Sequence, residues 1–378
     1  MSEYQYYEFR AIDRSLDDQQ VRELRAISTR AAISHTSFSN DYTYGDLKAD
    51  PRDLLVKYFD ASLQFSNWLF LEVAFRYPKG VVDVKALRRY AAGQAFDIRS
   101  KGPDIVVAIS VESDGDSFDT SDDGSRWLSS LAGLRADIAG GDERALYLAW
   151  LLDVQCGVIT DNALEPSSPE GLGRLSPALV SFIDIFGLDG DLVAAAAAGD
   201  PPGESNPSPE DMERWLASLG SDAHVALLSR VARGDASVAA EILRRFRRHA
   251  PRRPLQRRLR TAGELRAQAE AVTEKRRNAA REREARERDR RDREQDAARD
   301  RYLSALAKRE RQAWQRVDAL VVTKRPGDYD AAVSLLVDLR DVSQRKGRSS
   351  EFSDRVHVLR EVHGRKPSLL SRLRKIGL

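Results

Sequence analysis

The chain has 378 residues, of which 42% are hydrophobic and 32% are charged, so it can bury a substantial core while much of its length stays in water. The 61 Lys and Arg nearly balance the 59 Asp and Glu, but residues 1–240 hold 22 basic and 38 acidic side chains, whereas residues 241–378 hold 39 basic and 21 acidic ones. A single cysteine, Cys156, excludes intramolecular disulfides and a Cys-rich zinc site, and we expect its side chain to be buried. No hydrophobic run is long enough to cross a membrane. We therefore expect a cytoplasmic protein.

Residues 1–112 alternate between two-residue and helical periodicity, which predicts a small mixed α/β domain. Four segments have the pattern of strands: 4–12, 33–44, 67–76 and 105–111. The last two are nearly continuous in hydrophobic residues, so we expect them to be buried on both faces. A capping box of Ser15 and Asp18 should open a first helix, and Asp50 with Pro51 should open a second.

An acidic linker, 113–124, ends this domain, and from residue 125 onward the pattern is helical. We therefore predict a helical subdomain over 125–248. Residues 119–124 are similar to the first half of a calcium-binding loop, with oxygen-bearing side chains in alternation and a glycine in sixth place. Its twelfth position falls on Ser130 instead of a glutamate, which favours a solvated linker over a calcium site.

Residues 244–260 form the most cationic segment, and their last part, 249–260, is predicted to be an arginine-rich hinge. Guanidinium groups bind phosphates in a bidentate manner, and Phe246 and His249 can stack on exposed bases. The candidate contacts to nucleic acid are Arg244, Arg245, Arg247, Arg248, Arg252, Arg253, Arg257, Arg258 and Arg260. The same arginines can instead pair with the acidic residues of 1–240, and the sequence leaves both alternatives open.

Residues 261–322 contain no proline, and we predict one long charged helix over this range. Its middle, 281–300, has sixteen charged residues in twenty and too few hydrophobic ones for a coiled-coil seam. Acid-to-base pairs recur there four residues apart, as in Glu282 with Arg286 and Glu284 with Arg288, and such pairs stabilise a single helix in water. This pattern favours a spacer over a phosphate-binding surface.

Hydrophobic residues return at the end of that helix, and residues 323–378 continue with helical spacing, which predicts a C-terminal helical cap. The obvious partner for this hydrophobic face is the cap itself. The face is also a candidate surface for a protein partner or for self-association, through Leu306, Trp314, Val317, Leu320 and Val321.

Motifs typical of enzymes are missing: the sequence has no phosphate-binding glycine loop, no dinucleotide fingerprint, no zinc-protease pair and no hydrolase elbow. The histidines are scattered, so neither a metal site nor a cofactor is predicted. One alternative stays open, an active site in the N-terminal domain around His35, Asp41 and Tyr42.

Residues 6–14, Tyr-Tyr-Glu-Phe-Arg-Ala-Ile-Asp-Arg, and residues 144–151, Arg-Ala-Leu-Tyr-Leu-Ala-Trp-Leu, resemble a widespread set of bacterial proteins of uncharacterised activity. This resemblance implies no reaction. The tail that begins at residue 324 and ends at residue 370 is similar to helical tails of bacterial SWIM-type zinc-finger proteins, and the resemblance is carried by residues 324–333 and 365–370. One cysteine cannot form the Cys-x-Cys and Cys-x-His pairs of that family, so zinc and DNA binding do not carry over, and the resemblance implies at most a setting linked to nucleic acid.

These features together predict a mostly helical α+β protein that is a non-enzymatic adaptor. In this interpretation the arginine segment binds nucleic acid or another polyanion, the long helix is a spacer, and the cap engages a protein partner. Two alternatives remain: a purely protein-binding or self-assembling scaffold, and an unrecognised enzyme in the N-terminal domain.

Overall fold

The computed structural model describes residues 4–67, 70–112, 124–198, 209–235, 237–249 and 259–378. The chain divides into two compact units, residues 1–276 (unit 1) and 277–378 (unit 2), and each has a hydrophobic core of its own. An antiparallel sheet lies near the N-terminus and helices follow it, so the prediction of a mostly helical α+β fold is confirmed.

The sheet has seven strands, which are antiparallel throughout and ordered β2-β3-β1-β4-β5-β7-β6. The strands are β1 (Gln5–Arg10), β2 (Ala32–Ile33), β3 (Ser37–Tyr42), β4 (Ala61–Ser66), β5 (Phe70–Pro78), β6 (Phe96–Lys101) and β7 (Asp104–Glu112). As predicted, β5 and β7 are buried on both faces. Strands β4 and β6 were not predicted; β6 is a polar edge strand, which lacks the continuous hydrophobicity of a central one.

The first two helices, α1 (Asp18–Ile27) and α2 (Pro51–Tyr58), cover one face of the sheet. Their hydrophobic side chains form one buried cluster with Phe9 and Phe38 of the strands. The cap of α1 corrects the prediction, because Asp17 and Gln20 form the capping box instead of Ser15 and Asp18. Helix α2 begins as predicted at Pro51, where the Asp50 carboxylate accepts the first two helical N–H groups.

The opposite face of the sheet packs against helices that follow β7. Further helices of unit 1 are α3 (Val84–Leu87), α4 (Trp127–Leu131), α5 (Gly133–Ala139), α6 (Arg144–Gln155), α7 (Pro177–Phe186), α8 (Gly190–Ala197), α9 (Pro209–Ser218), α10 (Ser221–Ala232) and α11 (Val238–His249). Residues 145–154 of α6 are all buried, and they share one core with Leu63, Phe75 and Val107 of the sheet. The predicted boundary between the sheet and the helical subdomain therefore falls inside one compact unit. Cys156 caps α6 and is exposed, contrary to prediction.

Helix α12 (Ala262–Lys308) ends before the predicted limit of 322, because a turn at Arg309 separates it from α13 (Glu310–Val322). Residues 281–298 of α12 are exposed all round. Two of the predicted pairs form there, Glu282 with Arg286 at 3.6 Å and Glu284 with Arg288 at 3.3 Å.

Unit 2 is completed by α14 (Pro326–Arg345), α15 (Ser349–Val362) and α16 (Pro367–Lys375). Its core joins Trp314 and Val317 of α13 to Leu336, Phe352 and Leu369 of the three later helices. The end of the charged stretch therefore packs on the tail, which the hydrophobic spacing had predicted.

Candidate polyanion interface

The arginine segment begins on α11, which is anchored to unit 1 by its hydrophobic side. Phe246 is buried against Trp215 of α9, with ring centroids 5.4 Å apart, and the ring of His249 lies 6.4 Å from the same tryptophan. The prediction that Phe246 can stack on an exposed base is therefore wrong, because the ring is already packed inside the protein.

Two of the α11 arginines lie against the end of α5. Arg247 Nη1 donates to the carbonyl oxygen of Gly140 at 2.9 Å, and its Nη2 lies 3.8 Å from the Asp142 carboxylate. The side chain of Arg244 packs on Gly141, where burial and the nearby Arg248 lower the pKa of its guanidinium. Arg247, held by a backbone carbonyl, and Arg244, held by packing, therefore attach α11 to the unit.

The other two arginines of α11 face solvent. The side chains of Arg245 and Arg248 are 50% and 59% exposed. Arg248 Nη2 lies 2.6 Å from Asp83 Oδ2, and Arg245 pairs with Glu241 one turn earlier on its own helix. Exposed pairs of this kind stabilise a protein by only about 0–1 kcal/mol and weaken with salt. A phosphate can therefore replace either carboxylate at little cost.

Arg260 has a different environment from the arginines of α11. Its guanidinium is buried against Glu165, with Nη2 2.9 Å from Oε2, and it also donates to the carbonyl oxygens of Ala195 and Ala196. Glu165 is 1% exposed and accepts a further hydrogen bond from Tyr147, whose pKa is raised by burial. The prediction of Arg260 as a nucleic-acid contact is corrected, because its donors are used inside the fold.

The remaining predicted contacts, Arg252, Arg253, Arg257 and Arg258, lie outside the described residues, as does the calcium-like loop apart from Gly124. The acidic linker is outside them as well, except for that glycine.

The hydrophobic face assigned to a partner is occupied by the chain itself. Trp314, Val317 and Val321 are buried in the core of unit 2, and Leu306 and Leu320 are partly buried against it. The partner-binding assignment is therefore corrected: these side chains hold the helices of unit 2 together and offer little surface to another protein.

The alternative active site around His35, Asp41 and Tyr42 does not assemble. His35 Nε2 lies 3.1 Å from Asp18 on the surface, Asp41 is exposed, and the Tyr42 ring packs edge-on against Tyr7. Adjacent residues of a strand point to opposite faces, so Asp41 and Tyr42 cannot converge on one substrate.

A cleft of about 550 Å³ opens instead between the N-terminus of α2 and the sheet. Arg52 lies there 2.7 Å from Glu72 and 2.9 Å from Asp97, and Asp97 is also 2.7 Å from Arg99. Hydrogen bonding to Glu72 raises the pKa of Arg52 further. These four side chains neutralise one another, and we assign no reaction to the cleft.

Within the described ranges, no cluster of three or more His, Cys, Asp or Glu has a metal-binding arrangement. None of the helices in that part of the chain combines the length and the hydrophobicity needed to span a bilayer. Comparisons with protein-family models, with curated proteins and with solved structures found no match for this chain.

Proposed function

We propose that this chain is a non-enzymatic interaction protein that binds nucleic acid through the exposed part of its arginine segment. The observation that supports this proposal is the division of that segment by environment. Arg244, Arg247 and Arg260 have structural positions, whereas Arg245 and Arg248 keep half or more of their side chains in solvent and have only weak carboxylate partners.

Arg252, Arg253, Arg257 and Arg258 follow within ten residues of Arg248 and have no acidic residue between them. Arginine is suited to this role because its planar fork binds two phosphate oxygens at once. Six arginines that neutralise phosphates and release counterions make binding strong at low salt and weak at high salt.

The charged part of α12 supports a different role. Residues 281–300 carry eight basic and eight acidic side chains, and 281–298 are exposed all round. A surface with locally balanced charge attracts phosphates poorly. We therefore propose a spacer for this stretch, as the i,i+4 pairing indicates.

The test is fluorescence anisotropy of labelled single-stranded RNA and double-stranded DNA, titrated with the full chain from about 50 to 200 mM salt. The variant replaces by glutamine the six arginines of the segment that have no assigned structural position: 245, 248, 252, 253, 257 and 258. The matched control replaces six arginines of the charged helix, 281, 283, 286, 288, 290 and 291, which changes the net charge by the same amount.

We expect the slope of log affinity against log salt on DNA to fall by about 5 in the first variant, at about 0.9 per lost contact, and to change little in the control. An equal loss in both variants means that net charge, and not this segment, drives binding. Unchanged binding in the first variant contradicts the proposal.

A second candidate, a protein-binding scaffold, is favoured by the surface of α10. Val225, Leu228 and Val231 lie on one side of this helix and are 61%, 67% and 56% exposed. Exposed hydrophobic stripes of this kind are typical of protein contacts. Replacing all three by glutamine should abolish self-association in size-exclusion chromatography with light scattering if α10 is the contact, and should leave anisotropy on RNA unchanged.

A further inference from the structure

Unit 2 contains a groove of about 330 Å³ that is lined by residues of α14 and α15 and by Gly377 and Leu378. Its floor is hydrophobic, since it is formed by the buried side chains of Phe352 and Val356. Pockets of roughly 300 Å³ and above are the size that small ligands occupy.

The side chains around this floor are donors. Arg340 and Gln344 lie one turn apart on α14, and Ser349, Ser353 and Arg360 follow one side of α15. None of the side chains that line the groove is an aspartate or a glutamate. The two guanidinium groups outnumber the one carboxylate in the lining, the main-chain carboxylate of Leu378, so the groove keeps a positive charge that suits an anion.

Three other arginines of unit 2 already have carboxylate partners. Arg345, Arg348 and Arg372 are each paired with a carboxylate, at 2.6 to 2.7 Å. In the part of unit 2 that is described, no ion pair engages Arg340 or Arg360; Arg340 Nη1 donates once, to the carbonyl oxygen of Ile376 at 3.2 Å. Most of their donors are therefore free for a ligand.

The helix that provides most of the groove adds to the positive potential. Helix α15 begins at Ser349, at the edge of the groove, and no side chain caps its first turn. The uncapped N–H groups and the positive end of the helix dipole favour a negatively charged group nearby. His357 also lines the groove, and its Nε2 lies 3.3 Å from the Glu361 carboxylate.

We propose that this groove is a binding site for a phosphate-bearing ligand of the size of a mononucleotide. Arg340 and Arg360 bind the phosphate oxygens, the floor of Phe352 and Val356 seats the rest of the ligand, and the hydroxyls of Ser349 and Ser353, nearer the start of α15, donate to polar groups of that part. The phosphate belongs to a free nucleotide or to a nucleotide of a longer strand. The proposal does not depend on the arginines of α11, because it concerns other residues in the other unit.

The experiment is isothermal titration of the full chain with three probes: inorganic phosphate, AMP and a single-stranded RNA of ten nucleotides. The variant is Arg340→Gln with Arg360→Gln. The matched control is Arg311→Gln with Arg316→Gln, two exposed arginines of α13 that line no part of the groove and have no ion pair among the described residues.

We expect saturable binding of AMP that weakens at least about tenfold in the groove variant and stays the same in the control, because each lost charge-assisted hydrogen bond has that effect. The single variant Arg360→Gln should also weaken AMP binding, and it replaces the double variant in the test if the double variant fails to fold. If only the RNA binds and the groove variant weakens it, the phosphate comes from a strand, and the site stands.

Equal affinity of AMP or RNA for the groove variant and the control overturns the proposal, and so does the absence of binding by all three probes. Replacement of the six arginines of the proposed nucleic-acid interface should leave AMP binding intact. Failure of that interface and failure of this groove are therefore separate results.

Discussion

Replacing Arg260 by methionine should strongly destabilise unit 1. The guanidinium is buried, and it contacts the Glu165 carboxylate and two backbone carbonyls, those of Ala195 and Ala196. Its removal leaves Glu165, which is 1% exposed, without its cation, and Tyr147 remains as a neutral partner. A buried charge that loses its counterion costs about 3–5 kcal/mol, which lowers the melting temperature of a large domain by about 6–20 °C.

The assay is differential scanning calorimetry of the full chain, with anisotropy on RNA measured on the same samples at 20 °C. Adding Glu165→Gln to the methionine variant removes the stranded charge and should restore more than half of the lost stability. The paired control, Arg245→Gln with Arg248→Gln, should lower the melting temperature by less than about 2 °C, because both ion pairs are exposed.

The opposite pattern refutes this reasoning. If Arg260→Met keeps the melting temperature and reduces the salt dependence of RNA binding, Arg260 is a nucleic-acid contact. The distinction between structural and exposed arginines then fails.

Three further predictions concern other parts of the fold. Gly93→Ala should destabilise unit 1 by about 2–4 kcal/mol in urea unfolding. The new Cβ would lie 2.2 Å from Asp153 Oδ2 and would displace a carboxylate that accepts two backbone N–H groups. An unchanged urea midpoint would contradict this prediction. Hydrogen bonds from Tyr58 and from Lys57 lower the pKa of Glu23 to about 2 from its ordinary 4.5. The stability that the ionised Glu23 contributes is therefore complete above pH 4.5 and is lost as the pH falls toward 2. Tyr58→Phe should raise that pKa in a carboxyl NMR titration, and an unmoved value would exclude the hydrogen bond as its cause. Val317→Ala should cost about 2 kcal/mol and speed hydrogen exchange in α13–α16 about 30-fold while exchange in α1–α8 stays the same; equal acceleration in both would mean that the units unfold together.

Local patterns were sufficient for much of the fold. The helix at 144–155 and the buried strands β5 and β7 follow from hydrophobic runs, because such runs must leave water whatever they pack on. The start of α2 follows from Asp50 and Pro51, whose capping chemistry acts within one turn. The spacing of the hydrophobic residues was enough to predict the helices that follow residue 323 in unit 2.

Other features depend on residues distant in sequence. The edge strand β6 is a strand because β7 pairs with it, since its own residues carry little hydrophobic signal. Hydrophobic spacing shows that the face of residues 306–321 must be buried, but it does not show which surface buries it. For this reason the sequence allowed the face to be assigned to a protein partner. The tail of the same chain buries it.

The arginine segment shows this limit most clearly. Arg245 and Arg260 are the same residue type in one arginine-rich segment without an acidic residue, and local sequence does not distinguish them. The environment of a guanidinium depends on the carboxylates and carbonyls around it, and Glu165 lies 95 residues from Arg260. Composition and spacing were therefore sufficient to locate the cationic segment and to predict the helices around it. Which arginines are buried in the fold and which remain free for a phosphate depends on contacts that form only when distant parts of the chain pack together.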